Sequence, residues 1–215
     1  MLIKSKIEGH KKEFSRIGFD NISPWCSRKR VEMDKTVRGN LNDLWSDDRQ
    51  LQNDAFTYIL KATDKPVDWA YEAWDELLAN LTHEDNHNRA IAAQVLCNLA
   101  KSDPKNRMLK DFAQLLAVTK DERFVTARHC LQSLWKVGVA GKKQQEIYME
   151  GLERRFYECR NEKNCTLIRY DILQSMRNVS DVMKDEKIKE TALALIETED
   201  DSKYRKKYAT VWRNA

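Results

Sequence analysis

The residues most readily associated with chemistry form the segment His83-Glu84-Asp85-Asn86-His87, which matches the H-E-x-x-H pattern of zinc peptidases. In that pattern two His side chains one helical turn apart bind zinc, and the intervening Glu activates the zinc-bound water. Here Asp85 and Asn86 favour turns, and the repeat described below places the segment in a polar turn between helices. A zinc peptidase is therefore the least favoured of three functional hypotheses, and no metal is predicted.

Three further residues are candidates for contact with a partner protein. Trp69 lies off the apolar face of its helix and near the helix start, so its ring either anchors a partner or folds over a neighbouring helix end. Arg128 and Arg169 occupy near-equivalent positions in successive repeats and form either a basic ladder for a partner or ion pairs on the helix surface. We predict these three side chains as the partner-binding residues.

Basic residues concentrate at the two ends of the chain. Residues 1–40 contain ten Lys or Arg and five Asp or Glu and so carry +5, which leaves −1 for the rest of a chain whose net charge is +4. Such ends attract nucleic acid or acidic partners, and they also serve as a solubilising surface. If the protein binds nucleic acid, the expected contacts are Lys203, Arg205, Lys206 and Lys207.

The remaining reactive side chains do not form a catalytic set. Five cysteines, an odd number, are spread over predicted helices, which favours free buried thiols in a reducing cytoplasm: Cys26, Cys97, Cys130, Cys159 and Cys165. Cys159 and Cys165 lack the second pair that a tetrahedral zinc site requires. The chain also has no glycine-rich phosphate loop and no Ser or Cys at nucleophile-activating spacing from a His. The sequence favours a non-enzymatic protein without cofactors.

A repeated helix–turn–helix pattern organises the elements that hold these residues. The segments 41–48 and 78–85, each an apolar helix end followed by an acidic turn, superpose with a shift of 37 residues. The helix segment 129–134 recurs 42 residues later as 171–176, and a truncated copy begins at about 195. A period of about 35 to 42 residues that holds two helices is typical of helical solenoids.

The turn residues support this periodicity, because Ser46, Asp47, Asp85 and Asp121 can accept hydrogen bonds from the first amides of the next helix. Asp103-Pro104 predicts a cap followed by a proline at the first helical position. Helices are predicted over about 2–16, 33–45, 49–62, 67–81, 88–101, 104–118, 122–137, 142–159, 165–178, 184–198 and 203–213.

The pattern of Leu-x-x-Leu, an acidic turn and a helix with Ala and Leu four residues apart resembles HEAT and armadillo-like repeat proteins over about residues 35–212. The chain lacks the Pro and the Asp-Val-Arg turn frequent in HEAT repeats, so a more generic armadillo-like fold stays open. The resemblance implies an all-α, right-handed α-α superhelix of about five helical pairs. We expect an N-terminal helical cap and connector over 1–32 and one continuous repeat domain over 33–215.

The resemblance leads to two main functional hypotheses. The favoured one is a non-enzymatic scaffold that binds a protein or peptide on the concave face lined by its second helices. The alternative is a nucleic-acid-binding protein related to alkylation-repair DNA glycosylases, which are built on HEAT-like repeats and use a Trp and an acidic residue near the lesion. Trp74 and Asp75 are the nearest counterparts, but Trp74 shares a helical face with Leu77, which predicts a core position.

Composition limits the location and class of the protein. Hydrophobic residues make up 41% of its 215 residues, enough for a folded core. No stretch reaches the ~20 apolar residues of a membrane span, and the lysine-containing start has no uninterrupted apolar core. We therefore expect a cytoplasmic protein that does not enter a membrane.

Overall fold

The computed structural model describes residues 33–213, which form helices and turns with no strand among them. The expected all-α fold is confirmed. The helices are α1 (Lys35–Asp43), α2 (Arg49–Ala62), α3 (Ala70–Asn80), α4 (Asn86–Leu99), α5 (Arg107–Ala117), α6 (Phe124–Ser133), α7 (Trp135–Gly138), α8 (Lys142–Glu158), α9 (Cys165–Met183), α10 (Glu186–Glu197) and α11 (Ser202–Trp212). The cap and connector predicted over 1–32, with its helix at 2–16, lie outside the described residues.

Some helices end or divide at residues other than those predicted, because tertiary contacts determine these positions. The helix predicted over 122–137 is divided into α6 and α7 at Leu134, whose carbonyl accepts a hydrogen bond from the amide of Val137 at 2.9 Å. Leu134 keeps helical dihedral angles, so α7 continues α6 in a tighter turn. Helix α9 runs to Met183 instead of 178, because Val179 is fully buried and Lys184 ends the helix in the left-handed conformation.

Aspartates begin most helices that follow an acidic turn. Asp48 accepts hydrogen bonds from the amides of Gln50 and Leu51, and Asp85 and Asp201 cap α4 and α11 in the same way. The proline prediction was wrong: α5 begins at Arg107, so Pro104 lies in the turn before it. Asp103 still accepts the amides at the start of this helix, since its carboxylate reaches past the intervening turn.

The helices lie in two rows. We call α1, α3, α5, α8 and α10 the A row, and α2, α4, α6 with α7, α9 and α11 the B row. Each B-row helix packs against the next one along the chain, α2 on α4, α4 on α6, α6 on α9 and α9 on α11. Along the A row α3 contacts α5, α5 contacts α8, and α8 contacts α10. This order is compatible with a helical repeat.

Several polar contacts between successive helix pairs join residues about one sequence period apart. The indole of Trp74 donates to Asp111, 37 residues later, and buried Gln52 bonds Asn88, 36 residues later. Tyr208 donates to the carbonyl of Thr166 over 42 residues. The same interval that repeats in the sequence therefore separates the groups that meet in space.

Buried apolar side chains form one cluster that extends from Met33 to Trp212. Its largest fully buried members come from both rows, including Trp74, Tyr148 and Tyr208. None of the helices in the described part is long and apolar enough to cross a bilayer.

Candidate functional site

Arginines on the B row join each helix pair to the next. Arg49 donates to Asp85, the cap of the next B-row helix, and Arg89 binds Asp121 through two nitrogens, the longer bond being 2.9 Å. The Asp121 carboxylate raises the pKa of the Arg89 guanidinium. These links lie at the N-terminal ends of the B-row helices and hold α2, α4 and α6 in register.

The exposed faces of these three helices enclose a groove of about 640 Å³. Each helix contributes positions three or four residues apart, which is one helical face. Ile91 is buried and Phe56 half-buried, whereas Val125 is 63% exposed. We call this the B-row groove, and its lining residues include Asn53, Phe56, Asn86, His87, Ile91, Gln94, Val125 and His129.

Apart from Arg49, which is paired with Asp85, the polar side chains of the B-row groove end in amide, hydroxyl or imidazole groups, and several of them make no hydrogen bond to a described residue. The side-chain amides of Asn53 and Asn86 have no hydrogen-bond partner among the described residues, nor do the imidazoles of His87 and His129. Gln94 donates only to the carbonyl of Ala90 in its own helix. An amide both donates and accepts, as a peptide group does, so this surface suits an uncharged polypeptide backbone better than a fixed charge.

Formal charge divides sharply between the two rows of helices. The B-row helices contain eleven Lys or Arg and three Asp or Glu, hence +8, whereas the A-row helices contain ten and twelve, hence −2. Much of the B-row charge near the groove is paired, as at Arg49 and Arg89. Helix α11 alone carries +4, and of its four basic residues Arg205 is paired with Glu197.

On α11 two lysines lie over tyrosine rings. The ammonium group of Lys207 is 5.3 Å from the ring centre of Tyr170, and that of Lys203 is 5.9 Å from the ring centre of Tyr204. Arg205 points elsewhere, since its Nε donates to the carbonyl of Glu199 at 2.9 Å. The four basic residues predicted as a nucleic-acid contact thus do not form one uniform surface.

None of the three predicted partner-binding residues is among those that line the B-row groove. Trp69 is 7% exposed and packs in the core, which agrees with the alternative that its ring folds against neighbouring helices. Arg128 binds Asp171 through Nε at 2.7 Å and Nη2 at 3.0 Å, and this carboxylate raises the pKa of the guanidinium. Arg169 is buried and paired with Glu199. Their role in partner binding stays a prediction, but all three are engaged within the fold.

The H-E-x-x-H segment does not form a metal site. His83 lies in the turn before α4, where its Nδ1 accepts the amide of Asp85 at 3.0 Å, so the two histidines are not on one helix. His87 is in the first turn of α4 and lines the B-row groove. Across residues 33–213 no three His, Cys, Asp or Glu side chains are grouped to hold a metal.

Of the pair that would correspond to a glycosylase site, Trp74 is in the core and Asp75 is exposed. Trp74 has no exposed surface, and its indole donates to Asp111 at 2.9 Å. Asp75 is paired with Arg107. The core position expected for Trp74 is confirmed.

The residues of the B-row groove were missed from sequence, although one signal was available. Helical register from Arg49, Asn86 and Phe124 onward places 53 and 56, 87, 91 and 94, and 125 and 129 on single faces. The register does not show that the faces of α2, α4 and α6 line one groove in the folded protein. No protein-family model matches this chain, and none of the curated proteins resembles it.

Proposed function

We propose that the protein is a non-enzymatic scaffold of the HEAT or armadillo-like kind, a right-handed superhelix whose B row is the concave side. The observation that carries the proposal is the B-row groove, with its half-buried apolar base and unengaged neutral amides. Support for the repeat architecture comes from the alternating rows and from contacts between pairs that join residues about one sequence period apart.

The proposed occupant is an extended segment of a partner protein. Where it crosses α2, α4 and α6 it is uncharged and carries apolar side chains that contact Phe56, Ile91 and Val125. Where it reaches α11 it is acidic, because Lys203 and Lys207 on that helix form no ion pair with a described residue. Charge complementarity thus sets the direction in which the segment lies.

The test is crosslinked affinity purification from the native cells, with and without nuclease, using a matched pair of variants. Val125→Glu places a charge in the groove, whereas Tyr157→Glu alters an A-row side chain of similar exposure, 53%. We expect one protein partner whose recovery is not reduced by nuclease. The recovered amount should fall at least about tenfold with Val125→Glu and stay unchanged with Tyr157→Glu. Its crosslinked peptides should include an acidic stretch. Equal recovery with both variants would remove the groove as the binding site.

A second candidate, nucleic-acid binding, is favoured only by the lysines and tyrosines of α11. It predicts affinity for a labelled oligonucleotide that falls steeply with salt, and that Lys203→Gln, Lys206→Gln and Lys207→Gln each reduce this salt dependence. Arg205 is left unchanged because it holds the carbonyl of Glu199. Affinity that is indifferent to salt would dismiss this candidate and its base-excision form.

A further inference from the structure

Two thiols meet where the chain turns from α8 into α9. Cys159 begins the 3₁₀ turn that follows α8, and Cys165 is the first residue of α9. Their Sγ atoms are 3.1 Å apart, closer than an ordinary van der Waals contact between two sulfurs. A disulfide bond has a length of about 2.05 Å, so an approach of about 1 Å would join them.

The two thiols differ in exposure, which assigns them different roles. Cys165 is half-buried and open to a small reagent, whereas Cys159 is buried. Burial, and then the neighbouring Cys165 thiol, raise the pKa of Cys159 to about 12, while the guanidinium groups of Arg169 and Arg155 act in the opposite direction. Cys165 is therefore the thiol that reacts with a reagent from solution, and Cys159 the one that resolves the product.

Cys97 and Cys130, the other two cysteines in the described part of the chain, provide an internal comparison. Cys97 and Cys130 are fully buried, and burial raises the pKa of Cys97 to about 12 and that of Cys130 well above its usual value. Neither is open to reagents in the folded protein. Proximity together with partial exposure distinguishes the Cys159 and Cys165 pair from them.

We propose that Cys159 and Cys165 form a reversible disulfide by exchange with a small-molecule disulfide of the glutathione type. The Cys165 thiolate attacks one sulfur of the small disulfide, breaks its S–S bond and releases one small thiol. The Cys159 thiol then loses its proton to solvent, attacks the Cys165 sulfur of the mixed disulfide and releases the second small thiol. The protein loses two protons and two electrons as its S–S bond forms, and the small disulfide takes up the same number to become two thiols.

The bond would close the turn that holds Glu162. This carboxylate binds the fully buried Arg155 at 2.6 and 2.7 Å, and Arg155 also donates to Thr119 in the preceding helix pair. The disulfide would therefore constrain the turn whose Glu162 side chain holds Arg155 against the third helix pair. Cys159 and Cys165, which the cysteine distribution predicted to be free thiols, would then form a redox-sensitive modification site.

The experiment uses the full chain carrying Cys26→Ser, so that the cysteine outside the described residues cannot pair. The protein is equilibrated in mixtures of reduced and oxidised glutathione, quenched with acid and digested with trypsin without reduction. Trypsin cleaves after Arg160 and Lys163, so the proposed disulfide links two separate peptides, 156–160 and 164–169. Single variants Cys159→Ser and Cys165→Ser are treated in parallel.

We expect the linked peptides to appear at a glutathione ratio at least about tenfold more reducing than that at which the Cys159→Ser variant acquires a glutathione adduct on Cys165. Reduction should return both free thiols. Separate glutathione adducts on Cys159 and Cys165 without linked peptides would overturn the proposal, as would linkage that requires the same ratio as the single variant. Detection of the linked peptides, or of separate adducts in their place, uses neither serine variant and so does not depend on their folding.

Discussion

The ion pair between Arg169 and Glu199 joins the last two helix pairs and allows a quantitative test. Arg169 lies on α9 and is 5% exposed, and its Nη1 donates to the Glu199 carboxylate at 2.8 Å. Its Nε donates to the carbonyl of Phe156 at 3.1 Å. Burial acts to lower the pKa of this guanidinium, but Glu199 and the two nearby thiols raise it on balance. The charged pair is therefore part of the folded structure.

The change Arg169→Met keeps an unbranched side chain, shorter than that of arginine, and removes its charge. It leaves the buried Glu199 carboxylate without a counter-charge and the Phe156 carbonyl without a donor. Removing one member of a buried ion pair costs about 3–5 kcal/mol. For a chain of this length each kcal/mol lowers Tm by about 2–4 °C, so the expected drop is about 10 °C. Arg169→Met with Glu199→Leu leaves no uncompensated charge and should recover more than half of that loss.

Thermal and urea unfolding followed by far-ultraviolet circular dichroism measure these differences. The matched control is Arg154→Met, because Arg154 is exposed and its ion pairs to Glu150 and Glu158, at 3.9 and 3.8 Å, lie on the helix surface. A surface pair of this kind is worth less than about 1 kcal/mol. Equal Tm values for Arg169→Met and Arg154→Met would refute the buried-pair reasoning and make Arg169 available again as a partner-binding residue.

Three further outcomes are expected. The hydrogen bond from Lys120 lowers the pKa of Glu158 below its usual 4.5. The stability that this bond adds is therefore present above pH 4.5 and is lost as the pH falls through the lower pKa of the folded state. Lys120→Met should flatten this part of the curve of stability against pH, measured by urea unfolding. Gly151→Ala places a Cβ 2.8 Å from the Phe112 ring and should lower stability by about 1–3 kcal/mol, whereas Gly39→Ala meets no described atom within 4 Å and should raise it by about 0.5–1 kcal/mol in the same assay. Protein purified without chelators should contain no stoichiometric zinc by elemental analysis, and bound zinc removed by His83→Ala would contradict the turn geometry of that residue.

Local physical chemistry accounts for the parts of the fold that were predicted correctly. Apolar residues three and four positions apart indicated every helix of the described range, and Asp85 capped α4 as expected because its side chain reaches amides only two residues away. Helix ends were less predictable where the deciding contact is distant. Helix α9 continues past 178 since Val179 is buried, and α5 begins only after the turn that contains Pro104.

The sequence by itself determined that residues 33–213 are largely helical, that a helix–turn–helix pattern recurs along the chain and that the turns before several B-row helices are acidic. Only the tertiary structure decided which side chains are free to act. Arg128 and Arg169 look like available charges in sequence, but each meets a carboxylate 30 or more residues away. Val125 and the unengaged amides of the B-row groove come from three helices, and the Cys159 and Cys165 sulfurs meet across a turn. Periodicity specifies which face of a helix is apolar, whereas the partner of a polar side chain depends on how separate helices pack, and a single helix carries no information about that packing.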